Sequence, residues 1–310
     1  MLIWDDEVDV VCVGGGVAAL AAAIAAVELG GEVYVAGPAH PPADGPLPET
    51  LTDIWLGPDV TDAETIRYLR ALSADLTSVT LARDAVIPVR EVVPPPPFDP
   101  RGQVEPFIGS RLRDWAGQCL SSPYGLLHTR VSDRGMDTLH TPQAEIIEVK
   151  VVGSWPAGPP PSGAGVAGWL AAQAEDREID VHRDDRLERV VFEEGEVVGV
   201  VLTTGRGPRA VRARHGVTLT PTVPVGDTPA ELGLPHYQHE IRIGLVSQTA
   251  SRFGRLEVLT RAGGLPLRGH VADRRNPGPA DRRAQDRRMA TVTDLSRRRR
   301  KPHRYPPAGE

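Results

Sequence analysis

The stretch DVVCVGGGVAALAAAIAAVELGGEVYVAG, Asp9 to Gly37, constrains the fold of this chain more than any other part of it. Val8 to Val13 is dominated by β-branched apolar residues, the pattern of a parallel strand covered on both faces. Gly14-Gly15-Gly16 follows at once, and Ala18 to Leu29 then places Leu20, Ile24 and Val27 at helical spacing. Gly30-Gly31 stops that helix before a second strand, Glu32 to Ala36. Strand, glycine loop, helix and strand in this order predict a Rossmann-like βαβ unit.

In such a unit Gly14 makes the tight turn, Gly16 lets a pyrophosphate approach the backbone, and a small third residue, Ala19, allows close helix–strand packing. The first turn of the helix offers N–H groups and a positive dipole end to phosphate. The candidate nucleotide-binding residues are therefore Gly14, Gly15, Gly16, Val17, Ala18 and Ala19. A tight βα turn without any nucleotide is compatible with the same glycines. An acidic side chain that holds the ribose belongs about where the stretch ends, and the chain has Gly37 there.

At 310 residues, 40% of them hydrophobic and 25% charged, the chain is long enough to bury a sizeable core in one large domain or two modest ones. Its net charge is −6, yet Asp273 to Glu310 is strongly basic, so the remainder is more acidic than the total suggests. Cys12 and Cys119 are the only cysteines, which excludes a disulfide framework or a cysteine metal cluster and suits a reducing compartment. The apolar run Val17 to Leu29 is too short to span a membrane, and the acidic start MLIWDDEVD is unlike a secretory signal. A cytoplasmic location is the expectation.

Further along, Leu187 to Val191 and Val197 to Leu202 flank EEGE and read as a β-hairpin, with Ala210 to Leu219 as a third strand. A plain antiparallel meander without a ligand fits these local features equally well. His239 to Thr260 reads as strand, polar connection, strand. The proline runs in Val92 to Gly102 and Ser154 to Gly165 favour extended connectors. Between them, VEPFIGSRLRDWAGQCL and AEIIEVKVVGSW carry apolar patterning suited to a cap.

Three stretches carry a family resemblance. Asp9 to Ala36 resembles the N-terminal FAD-binding motif of the fumarate reductase and succinate dehydrogenase flavoprotein family, especially its 3-ketosteroid dehydrogenase-like branch. Asp53 to Leu76 resembles the helix after the flavin loop of that branch, and Gly165 to Leu219 resembles its helix and hairpin. The resemblance implies FAD as cofactor, Leu187 beside the adenine, and hydride transfer between a saturated carbon pair and the flavin N5 on a lipophilic ketone or a dicarboxylate.

The chain departs from the family pattern at Gly37, where a glutamate is usual, and at Pro38 to Thr52, where prolines replace a glycine-rich, hydroxyl-bearing loop. It departs again at Thr220-Pro221-Thr222-Val223, in place of Ala-Thr-Gly-Gly, and lacks a closing glycine-rich segment after Gly226. Each polar ligand contact is worth roughly 0.5–3 kcal/mol, so losing several shifts affinity by orders of magnitude. Two alternatives stand beside the flavoprotein reading: a non-catalytic degenerate homologue acting as an interaction subunit with a protein partner, and a protein binding another nucleotide through the same loop.

The expected fold class is α/β, a Rossmann-like FAD/NAD(P)-binding domain with a β-hairpin or meander and a Pro-rich inserted or cap region. Residues 1–90 would form the N-terminal part of the nucleotide domain and 91–164 the insert. Residues 165–260 would return to the nucleotide domain, and 261–310 would be a basic disordered tail.

No second chemical constellation emerges. His236 and His239 share a helical spacing without a carboxylate or thiol set at ligand distance, so no metal site is expected. Tyr124 and Tyr237 are acids in type only, and Ser162, Ser247 and Ser251 lack the nucleophile-elbow setting of a hydrolase. Arg297 to Lys301 is a dense positive run without aromatic interleaving, so nucleic acid is not the expected partner. Gly16→Glu, which fills the approach to the pyrophosphate, is expected to abolish dinucleotide binding in a titration with FAD.

Overall fold

Strand β1 (Asp6–Val13) forms where the β-branched run predicts it, and its alternating side chains enter two different cores. Val11 and Val13 pack into one, Cys12 into the other, which is why both faces of the strand had to be apolar. Helix α1 (Val17–Glu28) leaves the glycine loop and is buried over its first nine residues. Strand β2 (Val33–Ala36) then lies parallel to β1, from Val10 opposite Val33 to Val13 opposite Ala36. Asp9, the one polar residue within the Val8 to Val13 run, accepts the Glu32 N–H at 2.9 Å and ties the start of β1 to the entry of β2.

The computed structural model describes residues 2–37, 50–74, 76, 81, 85–93, 109–131, 135–156, 158–231 and 241–261. All of them fall within one unit, Met1–Leu267. His236, His239, Tyr237, the loop 38–49, most of the first proline run and the basic stretch from 262 onward lie outside the described residues.

The expected helix Asp53 to Leu76 is two helices, α2 (Leu51–Leu56) and α3 (Ala63–Ser73). Gly57 takes φ +94 between them, and Pro58 cannot continue a helix. After β3 (Val89–Val92) and α4 (Gly109–Leu120) come β4 (Gly125–His128), β5 (Asp137–His140) and β6 (Ile146–Trp155). Helix α5 (Gly163–Glu175), capped by the Ser162 hydroxyl, leads to β7 (Val181–His182). Strands β8 (Arg186–Glu193), β9 (Glu196–Thr204) and β10 (Gly207–Leu219) form the expected meander, with Glu194-Gly195 as the first turn. Strands β11 (Ile241–Ser247) and β12 (Phe253–Arg261) complete the described chain.

All the strands join one mixed sheet, so the fold class is α/β as the sequence pattern implies. Its main path runs β5-β6-β11-β12-β4-β10-β1-β2-β7, with β3 on β12, β9 on β10 and β8 on β9. The quartet β10-β1-β2-β7 is parallel, and α1 with α5 covers one face of this region. The opposite core contains β8, β9, α2, α3 and α4. Where β3, β12 and α4 meet, the fully buried Glu257 accepts from Arg90 Nε at 2.6 Å and from Arg255 Nε at 2.5 Å, while both guanidinium groups stand over the Trp115 ring. No described helix is long and apolar enough to cross a membrane.

Helix α3 is fastened to β8 by a short relay. The Val190 N–H donates to Thr65 Oγ1 at 2.9 Å, and the Thr65 hydroxyl and N–H both donate to Asp62, at 2.7 and 2.8 Å. The backbone N–H of Thr65 holds the Asp62 carboxyl below its ordinary value of 3.8. A depressed carboxylate stabilises the fold above its unfolded pKa and ceases to do so as the pH falls through the lower folded one. Asp62→Ala is therefore expected to cost about 1 kcal/mol at neutral pH, with the gap to the native chain narrowing below about pH 4; urea midpoints at several pH values read this.

Candidate functional site

The parallel strands β1 and β2 end side by side, and their carboxyl ends are where an open α/β sheet takes a ligand. There the chain crowds its own glycine loop. Thr220 N–H and Oγ1 both donate to the Val13 carbonyl, at 2.9 and 3.1 Å, and Thr222 Oγ1 donates to the Gly14 carbonyl at 3.3 Å. Gly14 has φ +117, and a Cβ on it would collide with the Thr220 carbonyl. A Cβ on Gly16 would stand 3.1 Å from the Pro221 carbonyl oxygen. The segment that departs from the Ala-Thr-Gly-Gly pattern thus lies against the loop itself.

Gly37 is constrained by the same loop. It has φ +110, its N–H donates to the His182 carbonyl at 3.1 Å, and an added Cβ would sit 3.0 Å from Gly14 C and from Gly15 N. No side chain fits at this position without moving the glycine loop. The carboxylate expected at the end of β2 is therefore disfavoured by the positive φ and the close packing as well as missing from the sequence.

Beside Gly37 lies a cavity of about 190 Å³, lined by Val13, Gly14, Gly37, Trp55, Leu187 and Thr222 with Leu56 to Asp59, Asp185 and Arg186. Of the seven residues picked out from the sequence, Gly14 and Leu187 meet here. Leu187 is buried on β8. Gly15, Gly16, Val17, Ala18 and Ala19 are also buried but do not line the cavity, and the Ala19 N–H is already spent on the Gly16 carbonyl at 3.0 Å. Gly16 caps α1 without any side-chain hydrogen bond.

No family model matches the sequence, and no curated protein matches it. Solved structures similar to part of the chain include the 3-ketosteroid-Δ4-(5α)-dehydrogenase of Rhodococcus jostii RHA1 in complex with 4-androstene-3,17-dione, 19% identical with a TM-score of 0.29 over 70% of this chain and 46% of that one. A myxobacterial chondrochloren halogenase, a variant of the FAD-dependent halogenases, is 16% identical with a TM-score of 0.26 over 67% and 36%. The open form of a flavocytochrome c3 fumarate reductase is 16% identical with a TM-score of 0.29 over 68% and 33%. The chain spans less than half the length of each of these.

Sequence reasoning missed Asp185 and Trp55. Asp185 stands in the turn between β7 and β8, and its buried carboxylate accepts the Tyr34 phenol at 2.6 Å. Tyr34 is stacked on His182, ring centres 4.2 Å apart, and burial, reinforced by Asp185, pushes its phenol up so that it stays a donor. Trp55 donates through Nε1 to the Leu120 carbonyl at 3.3 Å, fixing the ring at the cavity wall. At the rim, Arg186 Nη1 meets Asp59 Oδ2 at 3.1 Å, an exposed pair of small energetic weight.

Tyr124 is fully buried, donates to the Ala85 carbonyl at 3.1 Å and has its phenol pushed up by burial, so it is a structural tyrosine rather than an acid. Ser247 Oγ donates to the Phe253 carbonyl, and Ser251 Oγ accepts the Phe253 N–H; both shape a turn. No group of three metal-ligating side chains occurs among the described residues. A larger cavity of about 340 Å³, lined by Ala22, Ala26, Leu29, His128, Lys150 and Val217 among others, opens near the far end of α1. It touches β1 at Asp9 and Val10 and the entry to β2 at Gly30 and Gly31, away from the carboxyl ends of those two strands, so the smaller cavity is the better candidate for a nucleotide.

The close approach at Gly37 has a measurable consequence. Gly30 also has a positive φ, +85, but an added Cβ there meets nothing within 4 Å. Gly30→Ala is expected to cost about 1–2 kcal/mol through the backbone alone, and Gly37→Ala about 1–3 kcal/mol more through crowding; a comparison of thermal midpoints measures the difference.

Proposed function

We propose that this chain is an FAD-binding, oxidoreductase-like protein that takes the adenosine end of the dinucleotide in the cavity beside Gly37. The observation that carries the reading is the meeting of Gly14 and Leu187 across one cavity at the carboxyl ends of β1 and β2. A volume of about 190 Å³ lies below the roughly 300–1,000 Å³ of whole-ligand pockets, so it suits one nucleoside rather than a complete dinucleotide.

The residues present fit that part of the group. Leu187, Val13 and Trp55 supply apolar walls for a base, while Asp185, Arg186 and Thr222 supply polar groups. The diphosphate would then run toward the α1 N-terminus, where N–H groups and the helix dipole favour negative charge. FAD, when bound, supplies hydride acceptance from a carbon pair, and a lipophilic ketone or a dicarboxylate is the substrate class this reading carries. The chain's own part is to bind and orient the adenosine half.

A second reading has its own support. Gly15 to Ala19 are buried and the Pro221 carbonyl faces Gly16, as in a scaffold that has closed over its phosphate path and serves as an interaction subunit in the cytoplasm. The visible absorption spectrum after incubation with FAD and desalting, together with calorimetric titration by ADP, separates the two. A retained flavin band with ADP binding at this cavity is the expected outcome. ADP binding without retained flavin favours the interaction subunit, and failure to bind either overturns the adenosine assignment.

A further inference from the structure

The cavity beside Gly37 is lined by a buried carboxylate of which the fold uses one oxygen among the described residues. Asp185 is 8% exposed and makes no direct ion pair among the described residues; the charge of Arg209 reaches it, but that guanidinium hydrogen-bonds to Asp6. Burying a charge without a direct ion pair is costly, and such groups are normally paired or engaged in several hydrogen bonds. An ionised carboxylate has about four acceptor sites. Here one oxygen, Oδ2, accepts the Tyr34 phenol, and the other makes no hydrogen bond among the described residues.

Hydrogen bonds fix the position of this side chain. Tyr34 is stacked on the His182 ring and also approached by Arg209, whose guanidinium carbon lies 5.6 Å from the phenol ring centre. Arg209 is itself committed to Asp6, Nε to Oδ2 at 2.5 Å. The Asp185 N–H donates to the His182 carbonyl at 3.2 Å, so the turn is closed on the same residue that receives the Gly37 N–H. The end of β2, the end of β7 and Asp185 are thus one hydrogen-bonded corner with the cavity in front of it.

We infer that Asp185 accepts hydrogen bonds from the vicinal ribose hydroxyls of a bound adenosine nucleotide, reaching from the β7–β8 turn the place that a side chain at Gly37 cannot reach. The inference rests on the reading of this cavity as the adenosine site. It adds a specificity: a free 2′,3′-diol offers two donors to an acceptor-only carboxylate, whereas a 2′-phosphate brings a second negative charge against it. The site therefore selects adenosine nucleotides with an unmodified ribose and rejects their 2′-phosphorylated forms.

The test is calorimetric titration of the full chain with ADP, 2′-deoxy-ADP and adenosine 2′,5′-bisphosphate, on the native protein and on Asp185→Asn. The native chain is expected to bind ADP about 10-fold or more tighter than either analogue, as for one or two hydrogen bonds to a charged group. Asp185→Asn is expected to lose about 10- to 100-fold in ADP affinity and to bind ADP and 2′-deoxy-ADP alike. Circular dichroism and the melting curve of the variant check that it is folded, and the native comparison of ADP with its analogues does not depend on any variant.

Equal native affinity for ADP and 2′-deoxy-ADP, or unchanged ADP affinity in folded Asp185→Asn, overturns the role of Asp185 while leaving the adenosine site in place. A native chain that binds neither ADP nor FAD overturns the site and this inference together.

Discussion

One strand carries the architecture. The thirteen residues of β10 pair antiparallel with β9 over Gly207 to Arg212, parallel with β1 from Val211 to Leu219, and through Thr218 and Leu219 with β4. It is the seam between the parallel nucleotide-type half and the antiparallel strands, and each half is positioned by pairing with it. The residues that follow are placed as a consequence. Thr220 lands on Val13, its carbonyl fills the space that Gly14 leaves, and Pro221 comes to rest on Gly16. The shape of the candidate site is set by where this strand ends.

The βαβ unit was legible in the sequence because its signals are local: β-branched residues, a glycine cluster and an alanine-rich helix in immediate succession. The meander was legible for the same reason, through two strand-like runs around Glu194-Gly195. The break between α2 and α3 was also written locally, in Gly57-Pro58, but the helical spacing on either side concealed it. Membership of β4, β5, β6, β11 and β12 in one continuous sheet was not legible, since strand order is decided by pairing between distant segments.

The site divides in the same way. Gly14 and Leu187 were found from a motif and from a resemblance, and the structure sets them on one cavity. Asp185 was hidden because Asp184 beside it is equally acidic, and only the closure of the turn onto His182 selects between them. Trp55 was hidden because its position depends on a hydrogen bond to Leu120 on another helix. Gly37 read as a missing contact, whereas its positive φ and its approach to Gly14 and Gly15 make it a packing requirement. The glycine loop is thus largely explained by the chain's own contacts, and the functional argument moves to the cavity next to it.

The two cysteines divide between the two cores. Cys12 sits fully buried on β1 in the core of α1 and α5, and Cys119 fully buried on α4 in the opposite one. Burial pushes the Cys12 thiol up to about 12 and the Cys119 thiol well above its ordinary value, so neither is a nucleophile while the fold is intact. A thiol reagent meets either sulfur only when its own layer opens. The chain therefore carries a matched pair of internal probes, one on each side of the sheet, that can show in which order its layers come apart.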